Sequence, residues 1–218
     1  MRWFKNHTDF PEFYNRYLDT FKHKSKDVES VRFVVFDTET TGLDVISDRI
    51  LSIGAVGVTK FQIHVADTFE CYLNQDTFNT ETVKIHGLLK EGHISKIEER
   101  QAIESFLNYL GNAVIVAHHA AFDVAMINAS LKRMNLPKLK NKVIDTGELY
   151  KKTKYVKDQK NYGLDELSDL FKITKHDRHT SSGDAYITAL LFVKIASLLR
   201  KKKKGLKLRY FFDFNGWF

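Results

Sequence analysis

VRFVVFDTETTGL, residues 31–43, opens as a largely apolar run, Val31 to Phe36, and breaks off in two acids, Asp37 and Glu39, before the turn signal Thr41-Gly42. β-Branched and aromatic residues over this length read as a buried strand. In an extended chain residues two apart point to the same side, so Asp37 and Glu39 converge. Two carboxylates at the end of a buried strand require something that balances them, such as a cation; the bland alternative is a turn with two solvated acids.

Working outward, strand-like segments follow at Ile50 to Val58 and Phe61 to Leu73, separated by a short break near Thr59-Lys60 and close enough in succession to be antiparallel neighbours. Glu98 to Leu110 repeats apolar residues at helical spacing, Val114 to Ala117 is a short apolar strand, and Val124 to Met134 is helical again. Val143 to Asp145 is a further short strand, ahead of helices near Leu164 to Phe171 and Asp184 to Leu199. This order predicts an α/β fold: a mixed five-stranded sheet, three antiparallel strands then parallel ones, with helices on both faces.

Residues 1–30 read as a helical extension, in which Pro11 opens a helix and Phe13, Tyr14, Tyr17, Leu18 and Phe21 share one face, followed by the Lys-rich break Lys22 to Ser30. Residues 31–204 form the main domain. Residues 205–218 form an aromatic tail in which Leu206, Leu208, Tyr210, Phe212 and Phe214 alternate with Lys207, Arg209, Phe211 and Asp213 as a strand would. Such a tail covers the protein's own core, a sheet edge in a dimer, or another protein.

With 218 residues, 43% of them hydrophobic, the chain is long enough to bury one sizeable core. Lys+Arg 34 against Asp+Glu 27 gives a net charge of +7, which favours a polyanionic partner. The basic run Arg200 to Lys204 suits phosphates, or equally the end of a helix dipole. Cys71 is the only cysteine, and the N-terminal residues are polar rather than a signal core, so a reducing, cytoplasmic setting is expected. The apolar stretch Ile187 to Leu199 is cut by Lys194 and reads as too short to cross a bilayer.

Two further pieces repeat the pattern of an acid after apolar chain. The strand Val114 to Ala117 runs into His118-His119-Ala120-Ala121-Phe122-Asp123, where Asp123 stands at a helix start and would alone be an acid serving the helix dipole. In His179-Thr180-Ser181-Ser182-Gly183-Asp184 a loop histidine precedes a helix that carries Asp184 in its first turn, with Ser181 or Ser182 as the cap. In this order the three pieces resemble the DEDDh family of 3′-to-5′ exonucleases, most closely the proofreading epsilon subunits of bacterial DNA polymerase III. Asp37, Glu39, Asp123, Asp184 and His179 match the four acids and the histidine for which that family is named. The resemblance spans roughly Arg32 to Leu199 and implies a ribonuclease H-like fold and a nucleic-acid substrate, a single-stranded DNA 3′ end.

The same residues carry a physical logic of their own. Carboxylates brought together repel, and hard divalent cations that prefer oxygen, Mg²⁺ or Mn²⁺, relieve that repulsion. Two ions can hold the attacking and leaving oxygens of an in-line displacement at phosphorus. Imidazole exchanges its proton near neutral pH, which suits His179 to take a proton from the attacking water. The expected products are a 5′-mononucleotide and a chain shortened by one.

The resemblance also implies substrate contacts from Thr38, Thr40, Thr41, Gly42 and Leu43, the last as an apolar wedge at the terminal nucleotide. Alternatively, Gly42 only makes the turn and Leu43 enters the core. His86-Gly87-Leu88 matches a His-Gly-Ile element of the family, with Leu89 where Thr is usual, and Phe122 either stacks on a base or joins the core. His119 replaces the family's usual Asn, and Ser181 a frequent Ala; neither removes an acid. Zinc held by His118, His119 and His179 is disfavoured by the single cysteine and irregular His spacing. RNA trimming and a non-catalytic binding module are the competing functions, and a DNA polymerase or other replication or repair protein is the partner the resemblance suggests.

Overall fold

The computed structural model describes residues 10–22, 27–76, 87, 94–155, 160–203 and 205–212. Helix α1 (Glu12–Asp19) precedes strands β1 (Phe33–Thr40), β2 (Ile50–Thr59) and β3 (Gln62–Tyr72). Then come α2 (Glu99–Leu110), β4 (Val114–Ala117), α3 (Ala120–Arg133), β5 (Val143–Asp145), α4 (Thr146–Lys152), α5 (Leu164–Leu170) and α6 (Ser181–Lys202). The strands form one sheet in the order β3-β2-β1-β4-β5. β1 pairs antiparallel with β2 and parallel with β4, and β4 pairs parallel with β5. This is the mixed α/β sheet expected from the sequence, and it matches the ribonuclease H-like exonucleases.

The central strand β1 is buried on both faces and feeds two separate cores. Val34 and Phe36 pack with α1, α2 and α3, including Tyr14, Phe106 and Ile127. Phe33 and Val35 pack on the opposite face with α6, including Ile187, Phe192 and Ile195. Strand alternation then sends Asp37 and Glu39 out on the α6 side and Thr38 on the α3 side. Which face each acid reaches is therefore set by the register of the apolar residues before it.

α6 approaches the sheet closely because Gly54 lies beneath its first turn. Gly54 pairs with Asp37 in the sheet, and a Cβ on it would stand 2.2 Å from the backbone at Ser181 and Ser182. The helix is 22 residues long, and by length and composition alone it could cross a membrane. That is longer than the apolar stretch read from sequence, but the apolar residues Ile187, Leu191, Phe192 and Ile195 are buried in the core.

Several sequence expectations are corrected. Phe61 lies in the β2–β3 turn rather than in the strand; it and Lys60 both take positive φ, 58° and 51°, as two-residue hairpin turns demand. Among its described residues the alternating tail forms no strand: Leu208–Phe211 is a 3₁₀ turn. Phe211, 2% exposed, inserts among Phe33, Phe61 and Phe192, and the Lys152 ammonium donates to the Phe212 carbonyl at 2.7 Å. One aromatic socket and one lysine thus satisfy a segment that would otherwise need a ladder partner. Phe214 lies outside the described residues. α3 begins at Ala120, ahead of the expected start, and α4 was not anticipated.

Replacing Gly54 by alanine is expected to cost about 1–3 kcal/mol, because the new methyl meets helix backbone rather than a yielding side chain. Urea denaturation measures this, and a Gly54→Ala protein as stable as the parent would refute the close approach.

Candidate active site

At the end of β1 the chain brings three carboxylates together: ligand oxygens of Asp37, Glu39 and Asp184 lie within 4.8 Å of one another. Asp184 arrives on the first turn of α6, which is capped by Thr180, not by the expected Ser181 or Ser182: the Thr180 hydroxyl accepts from the Gly183 amide at 3.1 Å. Thr180 precedes the helix and has the extended φ and ψ of a cap, whereas Ser181 and Ser182 are already helical.

Asp123 approaches from the opposite face on the first turn of α3. Its Oδ1 accepts from the Thr38 amide at 3.0 Å and from the Thr38 hydroxyl at 2.7 Å. The β1 residue between the two acids therefore fixes the third. Asp123 is not within the 4.8 Å group, but among neighbouring charges it is the largest influence on Asp37. All four sequence-identified acids thus meet at one end of the sheet.

The electrostatics are those of like charges in a confined, poorly hydrated place. Burial first, then Asp123, Asp184 and Glu39, push the Asp37 carboxyl well above the usual range. Burial, with Asp184 next, raises Glu39 to about 8. Burial raises Asp123 to about 7 against the opposing hydrogen bonds from Thr38, and it raises Asp184 as well. Asp184 is 4% exposed, and its Oδ1 has no hydrogen-bond partner. Oxygen-only donors with one buried oxygen unclaimed fit a hard divalent cation.

His179 lies in the loop before α6, exposed, with φ at 67°. Beside it is a residue that no motif singled out: Arg178 donates to Asp184 Oδ2 and, through Nε, to Asp165 Oδ1 at 2.9 Å. Asp145 was also missed as a positioning residue. Its Oδ1 caps α4 through the Gly147 and Glu148 amides at 2.8 and 3.1 Å, while Oδ2 accepts from the Ala120 amide, at the start of α3, at 2.7 Å. Asp145 with Glu148 three residues on is the sequence pattern of a capping box, and it was the available signal.

The other expected substrate residues divide. Thr40 donates to the Gly42 carbonyl at 2.7 Å, and Thr41 to Asp48 Oδ1 at 2.7 Å, which shape the loop after β1. Gly42 lies so close to Asp48 that a Cβ there would meet its carboxylate at 2.5 Å. Leu43 does not enter the core but is 83% exposed, while Phe122 packs at the edge of the α1–α3 core. His86 lies outside the described residues. His118 is not available to a metal: its ring nitrogens meet the Thr146 hydroxyl at 2.8 Å and the Tyr162 carbonyl at 3.0 Å, and burial lowers it to about 4.

The exonuclease family model matches residues 34–192. A DNA polymerase III of PolC type from Caldanaerobacter subterraneus subsp. tengcongensis is 37% identical over 174 residues; the match covers 78% of this chain, which spans 12% of that polymerase's length. The nuclease domain of 3′hExo, a DEDDh family member bound to rAMP, superposes with a TM-score of 0.67 at 13% identity, covering 78% of this chain and 94% of that one. Exonuclease X in complex with 5′ overhanging duplex DNA superposes with a TM-score of 0.59 at 24% identity, covering 77% and 91%. With the acids of all three motifs assembled on this fold, the chain belongs to the exonuclease family.

Proposed function

We propose that this chain removes nucleotides one at a time from the 3′ end of DNA, single-stranded ends above all, releasing 5′-mononucleotides. The observation that carries the reading is the convergence of Asp37, Glu39 and Asp184, with Asp123 beside them. Two Mg²⁺ or Mn²⁺ ions would be held by these four carboxylates, and the buried, unclaimed Asp184 Oδ1 supports that fit. When bound, the ions supply positive charge to the attacking and leaving oxygens of the phosphodiester.

The chain's own residues supply the rest. His179, exposed on its loop, accepts the proton of the attacking water. Thr38 keeps Asp123 turned toward Asp37. Thr40, Thr41 and Gly42 hold the loop that presents Leu43 to the terminal nucleoside. DNA is favoured over RNA by the PolC-type relative and by the retained Thr40-Thr41, and the same likeness makes a DNA polymerase the working partner.

Release of mononucleotide from 3′-labelled single-stranded DNA with Mg²⁺ or Mn²⁺ tests the reading. Chelator and Asp37→Ala should abolish release, and His179→Ala should slow it about 10²–10⁴-fold. Thr38→Val should slow it by about 10–100-fold, as loss of a support to a ligand does. Matched DNA and RNA strands in competition decide the substrate; preferred digestion of RNA would favour RNA trimming, and tight binding without turnover a binding module.

Linkage gives a second test. Folding raises these carboxyls, so the folded state holds their protons more tightly than the unfolded chain and loses stability as pH climbs from the ordinary carboxylate range through about 8. In chelator the melting temperature should fall by on the order of 5 °C between about pH 5.5 and about pH 8.5. Divalent cation should restore most at the alkaline end, and Glu39→Gln should flatten the slope. A melting temperature that rises with pH in chelator and is indifferent to Glu39→Gln contradicts the electrostatic account.

A further inference from the structure

Among the described residues, the carboxylate cluster already meets a cation of the chain itself. The Arg178 guanidinium bridges two helices: Nη1 donates to Asp184 Oδ2 on α6, and Nε and Nη2 reach Asp165 Oδ1 and Oδ2 on α5 at 2.9 and 3.4 Å. Its side chain is partly exposed, at 23%, while the Asp184 side chain is nearly enclosed at 6% and that of Asp165 is open at 52%. Its charge also favours the ionised forms of Glu39 and Asp37.

We propose that Arg178 is a displaceable counterion of the cluster: the guanidinium and a divalent cation draw on the same Asp184 carboxylate, and Asp165 retains the guanidinium when it yields. The inference rests on the reading of the four carboxylates as a cation site. Two positive groups on one enclosed carboxylate repel, and the repulsion is strong where water is scarce. The singly charged group with a second, solvent-facing acceptor is the one that moves.

The contact also reaches His179. Arg178 Nη1 stands 3.4 Å from His179 Nδ1, and because a guanidinium only donates, Nδ1 faces it with its lone pair. Withdrawal toward Asp165 parts the guanidinium from the imidazole, so that cation arrival and release of the histidine become one event, with Arg178 as a positioning residue.

Mn²⁺ binding to the full chain, measured by calorimetry at fixed pH without nucleic acid, tests this. Arg178→Gln should bind Mn²⁺ tighter, by about tenfold, because the competing charge is gone. Asp165→Asn should bind it several-fold more weakly, because the guanidinium has lost its alternative acceptor, and Arg178→Lys should lie near the parent. In chelator Arg178→Gln should melt below the parent, and Mn²⁺ should raise it by more. A merely structural arginine gives the opposite sign, so equal or weaker Mn²⁺ binding by Arg178→Gln, or unchanged binding by Asp165→Asn, overturns the counterion proposal and leaves the cation site standing. Absence of saturable Mn²⁺ binding in the parent, with Asp37→Asn indistinguishable from it, overturns the cation site and the counterion with it.

Discussion

Negative charges confined within a few ångströms repel one another, and the acidic end of this sheet is organised around that repulsion. No single element places the acids there. β1 contributes two, α3 and α6 one each, and each backbone is held by apolar packing some distance from the charge. The two cores on either side of β1 supply the stability against which the crowding is maintained. Relief comes locally from the Thr38 hydrogen bonds to Asp123, from the Arg178 guanidinium, and from protons held unusually tightly.

α6 couples the two levels. Its apolar residues fill one core, and its first turn rests on Gly54 and delivers Asp184. Asp145 plays a comparable part on the other flank, where one carboxylate ends β5, starts α4 and receives the first amide of α3, the helix that carries Asp123. A site assembled from separate stretches of chain thus keeps its geometry because each stretch is anchored where it meets the sheet.

Much of this was legible from residue order. A period of two in an apolar strand fixes the facing of Asp37 and Glu39, and an acid after an apolar strand or in a helix's first turn has few places to go. What escaped detection depends on tertiary partners. Arg178 reaches Asp165 across 13 positions of chain, and no local pattern signals a salt bridge between a loop and a neighbouring helix. The aromatic alternation of the tail did not reveal that Phe211 enters a socket on a 3₁₀ turn. Leu43 could equally have entered the core, and only the loop pinned by Thr41 and Asp48 decides that it stands in solvent. Gly54 reads as a weak strand residue until a helix is seen resting on it.

The first helix bears on how this nuclease is handled as a molecule. Phe13, Tyr14 and Tyr17 sit inside the α2–α3 core, and the Tyr17 hydroxyl both donates to Asn141 Oδ1 at 2.6 Å and receives the Lys140 amide at 2.7 Å. Asn141 in turn donates to the Gly111 and Ala113 carbonyls, at the entry to β4. A recombinant fragment begun at residue 31, just ahead of the family match at residues 34–192, would strip a wall from that core and loosen the strand leading to Asp123. Expression boundaries and fusion tags therefore belong upstream of Phe10.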